Sequence, residues 1–195
     1  MDPRIERTRR VVGRAVVEEL AQEGYGAFTI EAVAARAGVA KSTIYRHWRD
    51  KVSLIADVFE FAHFEMVPSL EGSTSRDRVE RLVEHVAEVL VDPTFGRCVP
   101  ALVEAATRDP RLRDFHYRYN DQRRQSLVGA VNDGISNGEF AAGTDAELAT
   151  AALLGALFYR LLMTPAPIEP ARAGALVDAV LGAKSHGRRG SASLS

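Results

Sequence analysis

The sequence contains one cysteine, Cys98, and only three lysines among 25 basic residues. It has no apolar run near the length of a membrane span, and each of these scarcities excludes something. A single thiol cannot build an internal disulfide framework and suits a reducing cytoplasm. The stretch LLGALFYRLLM falls short of the roughly 20 residues that a bilayer crossing takes, so no membrane partner is expected. Arg4, Arg7, Arg9 and Arg10 open the chain with no apolar segment behind them, which is not the make-up of a signal peptide. Alternation of apolar and polar residues never persists, so strands are not expected. The shortage of lysine reflects genome composition rather than function.

Signatures of catalysis are missing as well. No serine stands in a nucleophile elbow, no glycine-rich loop could cradle a phosphate, and no carboxylate pair stands out by spacing. His63, His85, His116 and Cys98 fit no compact ligand pattern such as His-x-x-x-His or Cys-x-x-Cys. The sequence gives no argument for an enzyme, a metal or a cofactor.

What is present is an ordinary globular composition: 195 residues, 46% hydrophobic and 26% charged, enough to bury a sizeable core. The formal net charge of -1 conceals an asymmetry. Through Lys51 there are 10 basic residues against 7 acidic, and from Val52 onward 15 against 19. A basic head on an acidic body fits a polyanion contact confined to one end.

Apolar residues recur at i, i+3, i+4 spacing almost throughout, which predicts an all-α fold of about nine helices. The first spans about Ile5 to Glu23, ended by Gly24 and Gly26. Thr29 is the N-cap of a second, stopped by Gly38; a third covers about Lys41 to Trp48, and a fourth runs from Lys51 to around Val67–Pro68. A fifth follows the cap candidates Thr74 and Ser75 and stops at Asp92–Pro93. The sixth places Pro100 in its first turn or at a kink. The seventh runs from Pro110 to about Asn137, the eighth from Thr144 or Asp145 to Leu162, and the ninth from Glu169 to about Lys184. The small polar tail, 185–195, is expected to be disordered.

Within EAVAARAGVAKSTIYRHW, Ala34, Gly38 and Ile44 have the spacing of a helix-turn-helix: a small residue at the crossing, a glycine able to take positive φ, and an apolar anchor. Burial of Val33, Ala34, Val39, Ile44 and Trp48 leaves Lys41, Ser42, Thr43, Tyr45, Arg46 and His47 on exposed arcs. A short helix so rich in donors fits the major groove of double-stranded DNA.

The stretch from Phe28 to Val58, FTIEAVAARAGVAKSTIYRHWRDKVSLIADV, resembles the DNA-binding head of the TetR (tetracycline-repressor-like) family. The resemblance is carried by Phe28–Thr29–Ile30, Val33–Ala34, Ala37–Gly38–Val39, Ile44–Tyr45, His47–Trp48 and Asp50–Lys51, with Trp48 where the family usually has phenylalanine. It implies a helix-turn-helix domain over 1–51 and an α-helical ligand-binding and dimerisation domain over 52–184. It also implies that Lys41, Ser42, Thr43 and Arg46 enter the groove. Tyr45 and His47 would meet the groove edge or the backbone, although both could instead pack on the first helix. Lys51 would reach a phosphate, and Thr29 would cap a helix whose N–H groups face one. Two positions depart from the pattern: Ala40 lacks a serine-type cap, and Glu31 would repel phosphate.

The body supplies aromatic residues among polar ones, as an effector pocket needs. The candidates are His63, Phe64, Phe115, His116, Tyr119 and Phe158, with core packing as the competing reading. Small residues repeat at i+4 in the last two helices. Such stripes let helix axes approach closely, and the resemblance implies that these two helices pair with their copies, with Leu148, Ala151, Gly155, Ala175, Leu176, Ala179 and Val180 in a homodimer interface, unless the stripes serve packing within the chain. The function implied is a cytoplasmic, homodimeric repressor released from a palindromic operator by a small molecule. The alternative is a small-molecule binding protein of the same fold without specific DNA binding.

Overall fold

The computed structural model describes residues 3–66, 73–165 and 167–183, with the side chains of 3–5 and 61–66 outside that description. Among the described residues there are nine α-helices, one 3₁₀ turn and no strand. They are α1 (Pro3–Ala27), α2 (Ile30–Ala37), α3 (Lys41–His47), α4 (Lys51–Met66), α5 (Ser75–Val91), α6 (Phe95–Arg108), α7 (Pro110–Ser136), α8 (Ala146–Met163), the turn Pro170–Arg172 and α9 (Ala173–Leu181). The all-α expectation holds.

Local chemistry sets most helix ends. Thr29 accepts the Ala32 N–H at 3.1 Å, Thr74 that of Asp77 at 3.0 Å, and Asp145 that of Leu148 at 3.0 Å. Asp109 caps α7 just ahead of Pro110. Gly38 closes α2 with φ of 65°, which a residue bearing a Cβ adopts only under strain. At Gly24, φ of 72° kinks α1, and the chain then continues helically to Ala27 instead of ending there. The start of α6 lies earlier than Pro100 suggests: Asp92 accepts the N–H groups of Thr94 and Phe95, so the proline sits in the second turn. There it supplies no N–H to the carbonyl of Gly96, four residues earlier. Val67, Pro68, Lys184 and the tail 185–195 lie outside the described residues.

Two apolar cores organise the chain. The first joins α1–α4 to Cys98, Ala101 and Ala105 of α6 and to Leu112 and Phe115 of α7. The second gathers α5, the C-terminal half of α7, α8 and α9 around Val79, Val83, Val131, Leu153, Leu157 and Val177. The core of the head therefore runs on into the body beyond residue 51. α7, 27 residues and so about 40 Å long, takes part in both cores. α8 is long and apolar enough to cross a bilayer, with 18 residues at mean hydropathy 1.4. Here it is a packed body helix that leaves one apolar face uncovered.

Buried charges staple these elements. Glu19 of α1 accepts from Arg36 of α2 at 3.0 Å. Arg76, 5% exposed, reaches Asp178 at 2.8 Å and the Gly182 carbonyl, tying the start of α5 to the end of α9.

Candidate nucleic-acid interface and body cavity

The face of α3 follows from a single anchor. Ile44 is fully buried and Trp48 nearly so, and their spacing turns Lys41, Ser42, Tyr45, Arg46 and His47 outward, with Thr43 half-buried. Ala40 makes no side-chain cap, so α3 begins on backbone geometry alone. Lys41 is not idle on this surface. Its ammonium pairs with Glu31 of α2 and lies 5.6 Å from the centroid of the Tyr45 ring. The pairing gives Glu31 a cationic partner on the neighbouring helix and holds its carboxyl below the usual carboxylate range. Lys51 packs its ammonium 4.1 Å from the centroid of the Tyr25 ring, at the seam between α1 and α4. Thr29 is exposed and engaged as a cap.

The sequence reading missed two carboxylates that hold this surface in place. Asp57 of α4 accepts the indole N–H of Trp48 at 2.9 Å and the Arg9 guanidinium at 3.1 Å. One side chain thus joins the end of α3 to α4 and α1. Asp50 precedes α4 and exchanges bonds with Ser53, accepting its N–H at 2.9 Å while the Asp50 N–H donates to its hydroxyl at 3.1 Å. The Asp-x-x-Ser spacing was a local signal that could have revealed this cap. Nothing local announced the second partner of Asp50: the Arg111 fork, from the first turn of α7, at 3.0 and 3.2 Å. That guanidinium and the Ser53 N–H hold the Asp50 carboxyl down to about 2. Beside it, the Tyr25 hydroxyl donates to Asp109 at 3.3 Å.

Further along α7, a cavity of about 780 Å³ opens between α5, α6, α7 and α8. Val86, Val103, Leu154, Phe158 and Leu162 form its apolar walls, and His116, Asn120 and Arg123 lie along its α7 side. Of the pocket candidates, His116 and Phe158 line it. Phe115 does not. It precedes His116 by one residue, about 100° around the helix, and so turns into the first core, 4% exposed, with its ring 5.6 Å from Tyr119. Tyr119 packs on Phe59, centroids 6.3 Å apart, and is likewise no part of the wall. The side chains of His63 and Phe64 lie outside the described residues. Burial pushes the imidazoles of His116 and His85 below the ordinary histidine pKa. The Cys98 thiol, buried against the Val17 carbonyl at 2.9 Å, is pushed up to about 12 and is inert at neutral pH.

On the face of α8 turned away from buried Leu153 and Leu157, Leu148 (68%), Tyr159 (62%) and Met163 (72%) are exposed, in line with exposed Ala151, Ala152 and Gly155. Ala175 and Ala179 of α9 are exposed too, while Leu176 and Val180 are partly buried.

Residues 14–58 match the family described as bacterial regulatory proteins, tetR family, and residues 71–180 the tetracyclin repressor-like C-terminal domain. The HTH-type transcriptional regulator YdeS of Bacillus subtilis (strain 168) is 30% identical over 165 residues, spanning 83% of this chain and 82% of YdeS. The fold is also that of the transcriptional regulator FadR from Bacillus subtilis, solved with stearoyl-CoA (TM-score 0.71, 20% identity, 89% of this chain and 98% of that one). A regulator from Saccharomonospora viridis, solved with choline, shares it too (TM-score 0.69, 20% identity, 89% and 95%). With a helix-turn-helix head, a helical body and a relative matched over most of its length, the chain belongs to the TetR family of transcriptional regulators.

Proposed function

We propose that the protein is a homodimeric repressor, released from a palindromic operator when a small molecule enters the body cavity. The observation that carries this reading is the course of α7. Its first turn grips the start of α4 through Arg111 and Asp50, and its next turns wall the cavity with His116 and Arg123. A ligand that shifts α7 therefore acts directly on the helix whose Asp57 holds Trp48.

On DNA, Lys41, Ser42, Thr43 and Arg46 read the major groove, Tyr45 and His47 meet its edges, and Lys51 and the α2 N-terminus beneath Thr29 take phosphates. Lys41 must leave Glu31 to do so, and an exposed ion pair is weak enough to yield to a phosphate. The uncovered apolar face of α8, with Leu148, Ala151 and Gly155, supports pairing of two copies together with Ala175, Leu176, Ala179 and Val180 of α9. The two-fold axis so formed matches a palindrome whose half-sites lie about 34–36 Å apart. Proteins of this fold hold ligands as different as stearoyl-CoA and choline, which supports a ligand-binding role for the body and leaves ligand choice to the wall residues.

The ligand works through its differential affinity for the two states. Weakening of operator binding 100-fold requires that it bind the DNA-bound form 100-fold less tightly, about 2.7 kcal/mol of coupling. Selection of duplexes from a random pool by the full chain tests the proposal. A palindrome with steeply salt-dependent affinity is expected. Sequence-independent recovery would instead favour a ligand-binding protein without an operator.

A further inference from the structure

A ligand's chemistry is set by the few polar groups in an otherwise apolar wall. In the body cavity those groups are one-sided in charge: Arg118, Arg123 and Arg124 against a single lining carboxylate, Asp121. The three arginines are not equivalent. Arg118 is exposed at the rim, and Arg124 is engaged by Asp121 and by Glu147. Arg123 is half-buried, its guanidinium carbon 4.4 Å from the centroid of the Tyr119 ring. Burial pulls its pKa below the ordinary arginine value, yet a guanidinium stays charged at neutral pH. It sits near enough to His85 to help hold that imidazole neutral. His116, neutral for want of solvent, shares the wall and has one ring N–H to donate.

We propose that the effector is an amphipathic organic anion, its single negatively charged head group paired with Arg123 and its apolar body laid along Val86, Leu154 and Phe158. This rests on the body cavity being the effector site. A planar guanidinium presents parallel N–H groups that match a carboxylate in two bonds, and such charge-assisted bonds are strongest where water is scarce. A cation of the same shape would bring a second positive charge to a wall already carrying an excess of it. A neutral ligand would desolvate the arginine without adding a charge-assisted bond.

Three probes share one tail and differ only in head charge: octanoate, 1-octanol and octyltrimethylammonium. Calorimetric titration of each into the full-length protein should show octanoate binding at least tenfold more tightly than octanol, about 1.4 kcal/mol, with the ammonium weakest. Arg123→Gln should bring octanoate and octanol to equal affinity. Arg123→Lys, which keeps the charge without the fork, should retain a preference of a few-fold. Arg97→Gln, at an exposed arginine of α6 outside the wall, should leave the preference intact. Circular dichroism of each variant identifies any that do not fold, and the Lys variant and the wild-type series still decide the matter if the Gln variant is lost. Octanol equal to octanoate in the wild type, a preference for the ammonium, or a preference that survives Arg123→Gln overturns the anion assignment and leaves the cavity standing. Absence of binding by all three overturns the cavity as effector site, and the anion assignment with it.

Discussion

Trp48→Phe tests the joint between the recognition helix and α4. The ring slot is 3% exposed, and a phenyl group keeps its apolar character while losing the indole N–H that donates to Asp57 at 2.9 Å. Two effects then add. Removal of roughly 40 Å³ from a well-packed site at about 24 cal/mol per Å³ costs about 1 kcal/mol. Loss of a partly buried hydrogen bond to a carboxylate costs about 1–2 kcal/mol, at the lower end here because Asp57 keeps Arg9 at 3.1 Å. A total of about 2–3 kcal/mol is expected. Trp48 is the sole tryptophan, so its fluorescence disappears with it and urea unfolding must be followed by far-UV circular dichroism. A cycle of Trp48→Phe, Asp57→Ala and the double variant separates the bond from the volume, because only the bond needs both residues. A coupling of about 1 kcal/mol or more is expected, with operator affinity falling in the Trp48→Phe variant as the end of α3 loosens. Coupling below about 0.5 kcal/mol, the range in which independent sites add, would refute the claim that Asp57 holds the recognition helix.

The other outcomes concern separate parts of the molecule. Lys51→Ala should weaken all duplexes alike and reduce the salt slope by about 1, whereas Arg46→Ala should cost about 1–3 kcal/mol and relax preference at particular base pairs; titrations at several salt concentrations against operator variants distinguish them. Ala179→Arg places a long charged side chain in the close helix crossing expected between copies, so sedimentation should find monomer and operator affinity should fall in parallel. Asp50→Asn removes a carboxyl held at about 2 by Arg111. A depressed pKa contributes stability that is present above the ordinary carboxylate value and lost as pH falls through the folded one. The wild-type advantage over Asp50→Asn should therefore be flat from pH 7 to about 5 and shrink below about 4, as measured by denaturation at each pH. Phe115→Ala should destabilise the fold by about 3–5 kcal/mol as a core truncation, read by denaturation, without the selective loss of ligand that a wall residue would show.

The sequence by itself determined the helical class, most helix ends and the outward face of the recognition helix. The physical reason is range. A cap reaches three residues along the chain, as from Thr29 to Ala32, Thr74 to Asp77 and Asp145 to Leu148, and helical periodicity places Ser42 and Arg46 on the side of α3 away from Ile44 within a single turn or so. These are local events, and the residue types that cause them are readable. Tertiary structure alone decided which charges meet: Asp57 with Arg9 across 48 positions, Asp50 with Arg111 across 61, Arg76 with Asp178 across 102. It also decided, by the rotation of α7 against α4 and α6, that His116 faces a cavity while Phe115, one residue away, fills a core. An aromatic in an amphipathic helix has the same composition and period whether its neighbour across the gap is a side chain or empty space. Only the packing of the other helices sets which it is.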